Sequence, residues 1–104
     1  MREQMTRDAR GSDSQARSML MDSVRLINGR MARWEEDLTK AKSPRNAIEA
    51  RALKVTIETD GDQLRVDADN LRQVVERFNR DIRHTELRPV PLPPTVPQRK
   101  RGAR

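Results

Sequence analysis

The chain has 104 residues, 34% hydrophobic and 37% charged, with one Trp, one Phe, no Tyr and no Cys. So few large apolar side chains cannot fill a spherical core, which leaves an elongated helical protein with a narrow apolar seam or a largely disordered chain. Disulfides and thiolate metal sites are excluded. The net charge of +6 is placed unevenly: Arg88, Arg99, Lys100, Arg101 and Arg104 stand in a tail without acids, so the body is nearly neutral.

Residues 1–11 are polar and break at Gly11, and are expected to form a flexible arm. The opening MREQMTRDARGSDSQ has no apolar core for a secretory leader, and no run is long enough to span a bilayer. The expected setting is cytoplasmic or virion-associated, neither secreted through a signal peptide nor transmembrane.

Ser12-Asp13-Ser14-Gln15 has the pattern of a capping box, with a Ser hydroxyl for an orphan amide and a Gln three residues on. A helix is expected over about 12–42. Its seam is Leu20, Val24, Ile27, Met31, Trp34, Leu38 and Ala41, spaced alternately four and three, which is the 3.5-residue period of coiled-coil packing. Ser43-Pro44 is expected to stop this helix and start the next, since the α region is disfavoured before proline and proline suits the first helical position.

A second helix is expected over about 44–85, with a seam of Ala50, Leu53, Ile57, Leu64, Ala68, Leu71, Val75, Phe78 and Ile82. One stretch competes with it. VTIETDGDQLRV alternates apolar and polar residues around Asp60-Gly61, as a β-hairpin does. Against this, Ile57, Leu64, Leu71 and Phe78 lie seven apart, and so do Gly61, Ala68, Val75 and Ile82. The phrase DGDQLRV-DADNLRQ even repeats itself at seven. A hairpin turn has no reason to preserve a heptad, so a continuous helix is favoured, with Gly61 and Ala68 marking a close helix approach or a kink.

The fold expected is therefore all-α: a long antiparallel helical hairpin over 12–86 with coiled-coil-like packing. Its core is Leu20, Val24, Ile27, Met31, Trp34, Leu38, Leu53, Ile57 and Leu64. A hinge at Pro44 places Trp34 against Leu53 and Met31 against Ile57. Beyond Leu20 the first arm offers only Ala16, Ala9 and Met5, so Leu71, Val74, Val75, Phe78 and Ile82 are expected to be left wet. Burial of each is worth about 1.5–3 kcal/mol, so they are expected to form the interface of a homo-oligomer or to seat a protein partner.

Residues 87–104 form a basic, proline-rich tail. Pro89, Pro91, Pro93, Pro94 and Pro97 forbid helix and favour polyproline II, so the tail is expected to project as an extended arm. Arg88, Pro91, Pro94 and Pro97 supply the R-x-x-P-x-x-P and P-x-x-P-x-R patterns that SH3-type grooves read. Arg99, Lys100, Arg101 and Arg104 are the expected polyanion contacts, for nucleic acid or an acidic protein surface. No aromatic is interleaved for base stacking.

No catalytic residue, metal site, cofactor or small-molecule substrate is expected. Asp60, Asp62, Asp67 and Asp69 do not match a calcium loop and read as a solvated face pairing with Arg65 and Arg72. His84 has no acid, nucleophile or second His placed beside it. The function expected is non-enzymatic: a self-associating structural, assembly or adaptor protein, as in a phage particle or large complex. A small basic DNA- or RNA-binding protein and a proline-rich ligand of an SH3-like module are the alternatives.

Overall fold

The computed structural model describes residues 2–97, with side chains from Gly11 onward. Two helices and one short 3-10 turn follow in order: α1 (Arg2–Ala41), α2 (Ala47–Asp81) and the turn Ile82–His84. No strand occurs among the described residues, and the β-hairpin reading of 55–66 is excluded because that whole stretch lies inside α2. The molecule measures 67 × 24 × 16 Å. That is the rod expected of a chain whose apolar residues form a seam.

The expected arm over 1–11 needs correction: α1 begins at Arg2 and runs through Gly11 and the Ser12–Gln15 segment without a break. A helical Gly costs about 1 kcal/mol against Ala, and no proline enforces a stop. A capping box ends a helix only where the preceding residues leave it.

The chain leaves α1 through 3-10-like bonds, with Lys42 and Ser43 N–H donating to the Thr39 and Lys40 carbonyls at 3.2 Å. The start of α2 differs from the expected Ser43-Pro44. Asn46, in extended backbone at φ −160° and ψ 176°, is the cap, and its side chain accepts from the Glu49 N–H at 2.8 Å. Asn is among the strongest capping residues, and Pro44 instead lies in the connecting loop. The pairing lies about one to two turns further along α2 than the sequence predicts. Trp34 lies against Ile57 and Gly61, and Leu53 packs against the cluster that holds it.

The helices pack in opposite senses: Trp34 meets Ile57, Arg30 meets Asp67, and Val24 shares a cluster with Val75. Val24, Ile27, Trp34, Ile57, Leu64, Ala68 and Val75 are all at most 5% exposed. Leu20, Met31, Leu38 and Leu53 are partly buried around them. Between the helices, Trp34 Nε1–H donates to the Ile57 carbonyl at 2.9 Å. Arg30 Nη1 donates to Asp67 Oδ2 at 2.8 Å, and Gln63 Nε2 donates to the other carboxylate oxygen at 2.9 Å. These bonds hold the Asp67 carboxyl below its ordinary range, Arg30 contributing most.

Candidate functional site

Past α2 the chain turns back on itself. Thr85 makes the turn: its N–H and hydroxyl both donate to the Ile82 carbonyl, at 2.9 and 2.7 Å, and its hydroxyl oxygen accepts from the Leu87 N–H at 3.2 Å. Residues 88–97, neither helix nor strand, then run antiparallel to α2 along the groove between the helices. This strap corrects the expectation of a projecting arm. Val90, Pro93 and Val96 are buried. They recur at every third residue, which is one turn of a polyproline II helix. Val90 joins Val24 and Val75 in one cluster, and Val96 joins Ile27, Trp34, Ile57, Leu64 and Ala68 in the other.

Proline removes half of the strap's amide donors and leaves more carbonyls than N–H groups, and polar side chains of the helices meet those carbonyls. Arg17 Nε donates to the Arg88 carbonyl at 2.7 Å. Asn79 makes a two-way bond with the Val90 backbone: Nδ2 donates to its carbonyl at 2.9 Å, and Oδ1 accepts from its N–H at 2.8 Å. Arg72 Nη2 donates to the Pro93 carbonyl at 2.8 Å and to Thr95 Oγ1 at 3.1 Å. Arg65 Nη2 donates to the Pro97 carbonyl at 3.3 Å, while Nη1 holds Asp62 at 3.2 Å. The Arg65 Nε is buried without a partner, so this last contact is the least complete.

Arg65, Arg72 and Asn79 are seven apart, each directly after a seam residue: Leu64, Leu71 and Phe78. The seven-residue repeat of DGDQLRV-DADNLRQ is thus the spacing of a ladder as well as of a core. From Asn79 to Arg65 the helix advances about 21 Å. From Val90 to Pro97 a polyproline II strap advances about 22 Å. The two repeats stay in step along the whole contact, because seven helical residues match three and a half extended ones.

The strap changes the standing of the expected oligomer interface. Val75 and Ile82 are buried within the chain, and Leu71 and Phe78 are partly buried against the Val24–Val75–Val90 cluster. Only Val74, 52% exposed, stays wet. The argument from an uncovered seam to association is therefore corrected: the chain supplies its own cover. The sequence reading missed Val90, Pro93, Val96, Asn79 and the role of Arg72, which reaches the strap rather than an acidic face. An apolar residue at every third position of V-P-L-P-P-T-V was the available signal.

Of the expected proline-motif residues, Arg88, Pro91 and Pro97 are exposed and Pro94 is half-buried. They lie on a different face of the three-fold strap from the buried one. Arg99, Lys100, Arg101 and Arg104 lie outside the described residues. No group of three or more His, Cys, Asp or Glu placed to hold a metal exists among the described residues. No helix among them is long and apolar enough to cross a membrane. No family model, curated protein or solved structure matches the chain, so the site is read from its own geometry.

Proposed function

We propose that this chain is a non-enzymatic assembly or adaptor protein, in which a coiled-coil-like hairpin is the rigid back and the proline-rich segment is the working face. On this reading it self-associates, and the basic residues that follow the strap in sequence meet an acidic protein neighbour within a larger complex. The observation that carries the reading is the strap's division of labour. Val90, Pro93 and Val96 anchor it, its carbonyls are held by Arg17, Arg72 and Asn79, and Arg88, Pro91, Leu92 and Pro97 face outward. A polyproline segment fixed in this way presents side chains without the ordering cost that a free tail pays on binding.

The test compares the full chain with a variant in which Arg99, Lys100, Arg101 and Arg104 are all Ser. Binding of fluorescent polyglutamate and of a duplex DNA of equal charge is measured from low to high salt. The reading expects polyglutamate binding that weakens with salt and is lost in the variant. Preference for DNA would favour the nucleic-acid alternative, and equal binding by both chains would remove the tail from the function.

A further inference from the structure

We propose that the groove between α1 and α2 is a binding site for a polyproline II segment, filled in this chain by its own strap and able to take the strap of a second copy instead. The inference rests on the self-associating reading above and supplies its route, exchange of residues 88–97 between two copies.

The groove has the features of a receptor. All but one of its polar contacts are directed at main-chain atoms, the carbonyls of Arg88, Val90, Pro93 and Pro97 and the N–H of Val90; the exception is the Thr95 hydroxyl, which accepts from Arg72. Its apolar floor takes a residue at every third position, through Val24 and Val75 for Val90 and through Ile27, Trp34 and Leu64 for Val96. Nothing in this recognition depends on the strap's covalent attachment. Recognition of a preformed polyproline helix by a groove that reads alternate faces is a recurring binding mode. Here ligand and receptor are in one chain, so every second copy carries a segment of matching chemistry.

Exchange of an identical element between protomers is a low-cost route to a dimer, because the contacts made in the second groove are those given up in the first. Only the Thr85 turn, whose Thr85, Glu86 and Arg88 are exposed, needs to open. In isolation the attached strap competes at the effective concentration of a short linker, about millimolar, so the closed single chain dominates when dilute and exchange grows with concentration.

Two full-length variants test this. One carries Val90→Asp and Val96→Asp, which disables its strap and spares its groove. The other carries Arg72→Ala and Asn79→Ala, which disables its groove and spares its strap. A labelled peptide of residues 88–97 should bind the first at least tenfold more tightly than it binds the unaltered chain, whose groove is filled. Adding Arg72→Ala and Asn79→Ala to the first variant should abolish that binding. Mixing the two variants should give a species of twice the single-chain mass by sedimentation that neither gives alone. If the strap-disabled variant loses helicity, the peptide should restore it. Absence of peptide binding and of restored helicity overturns the groove as a receptor. Peptide binding without a mixed complex overturns exchange between copies, and leaves the tail-contact test above untouched.

Discussion

The indole of Trp34 rests on the backbone of Gly61, where a Cβ would stand 2.9 Å from Nε1 and 3.2 Å from Cε2 and Cζ2. The missing side chain lets Nε1 reach the Ile57 carbonyl. Gly61→Ala sets two effects against each other. Helix propensity returns about 1 kcal/mol. Overpacking costs about 1–3 kcal/mol, and here it also displaces the donor of a buried hydrogen bond. The second effect wins, because the atom met belongs to a fused ring wedged between two helices rather than to the free end of a flexible side chain. The variant should melt at lower temperature and shift the emission of the chain's single Trp. A higher melting temperature with unchanged emission would show that the ring is not seated on Gly61.

Gly29 gives the opposite result from the same substitution. It lies within α1, is exposed, and has nothing within 4 Å of where its Cβ would be. Gly29→Ala meets no clash and removes unfolded-state entropy, so it should stabilise the chain by about 0.5–1 kcal/mol. In a chain of this size that is a rise of several degrees in Tm, at roughly 4–8 °C per kcal/mol. Thermal melts followed by circular dichroism compare the two glycine variants directly. Equal shifts would mean that neighbours at Gly61 are irrelevant and propensity alone governs both sites.

The comparison between these glycines also shows what was legible in the sequence. The heptad phase from Ile57 to Ile82 identified the buried face of α2, because a 3.5-residue period has one structural cause. It also marked Gly61 as a place of close approach. The partners across the helices were misplaced: Trp34 was expected against Leu53 but bonds to Ile57 and sits on Gly61, four and eight residues further on, and α2 starts from the Asn46 cap rather than at Ser43-Pro44. The strap was the larger omission. Proline determines that residues 88–97 are extended, which is a local property. Where an extended segment lies is decided by non-local matches, such as Val90 with Val24 and Val75 and the Val90 backbone with Asn79. Arg65 and Arg72 stand within reach of aspartates in their own helix, and that local signal hid the longer reach of Arg72.

The Arg30–Asp67 pair gives the fold an acid limb. In the folded chain the Asp67 carboxyl is held below its ordinary value of 3.8, first by the Arg30 hydrogen bond and then by Gln63. The unfolded chain therefore takes up the proton at higher pH than the folded one. This contribution is fully present above about pH 4 and is lost as pH falls through the depressed folded value. Asp67→Asn should flatten the loss of stability on acidification, measured by urea unfolding at a series of pH values down to 2. Both side chains are about a third exposed, at 30% and 35%, so added salt should reduce the difference. An identical acid limb in the variant would assign it to other carboxylates.

The two-way bond between Asn79 and the Val90 backbone is the contact in which the strap's register is most directly held. Proline removes the N–H from half of the strap's residues, and Val90 donates its own to Asn79. Asn79→Ala removes donor and acceptor together and leaves both Val90 groups unpaired beside a buried side chain, at a cost of about 1–3 kcal/mol. The strap can relieve that cost by lifting into water, which the continuous helices cannot do. The variant should therefore open locally before it unfolds globally. Amide hydrogen exchange read by NMR separates the two events. Exchange at Val90 should quicken roughly ten- to hundredfold, since each 1.4 kcal/mol is a factor of ten. The amides of Ile57 and Leu64 in the middle of α2 should keep most of their protection. Asn79→Asp keeps an acceptor for the Val90 N–H but sets a carboxylate against its carbonyl, so it should also release the strap, and more at neutral pH than in acid. Unchanged exchange at Val90 in both variants would mean that the apolar anchors hold the strap alone, and that the heptad of Arg65, Arg72 and Asn79 does not govern where it lies.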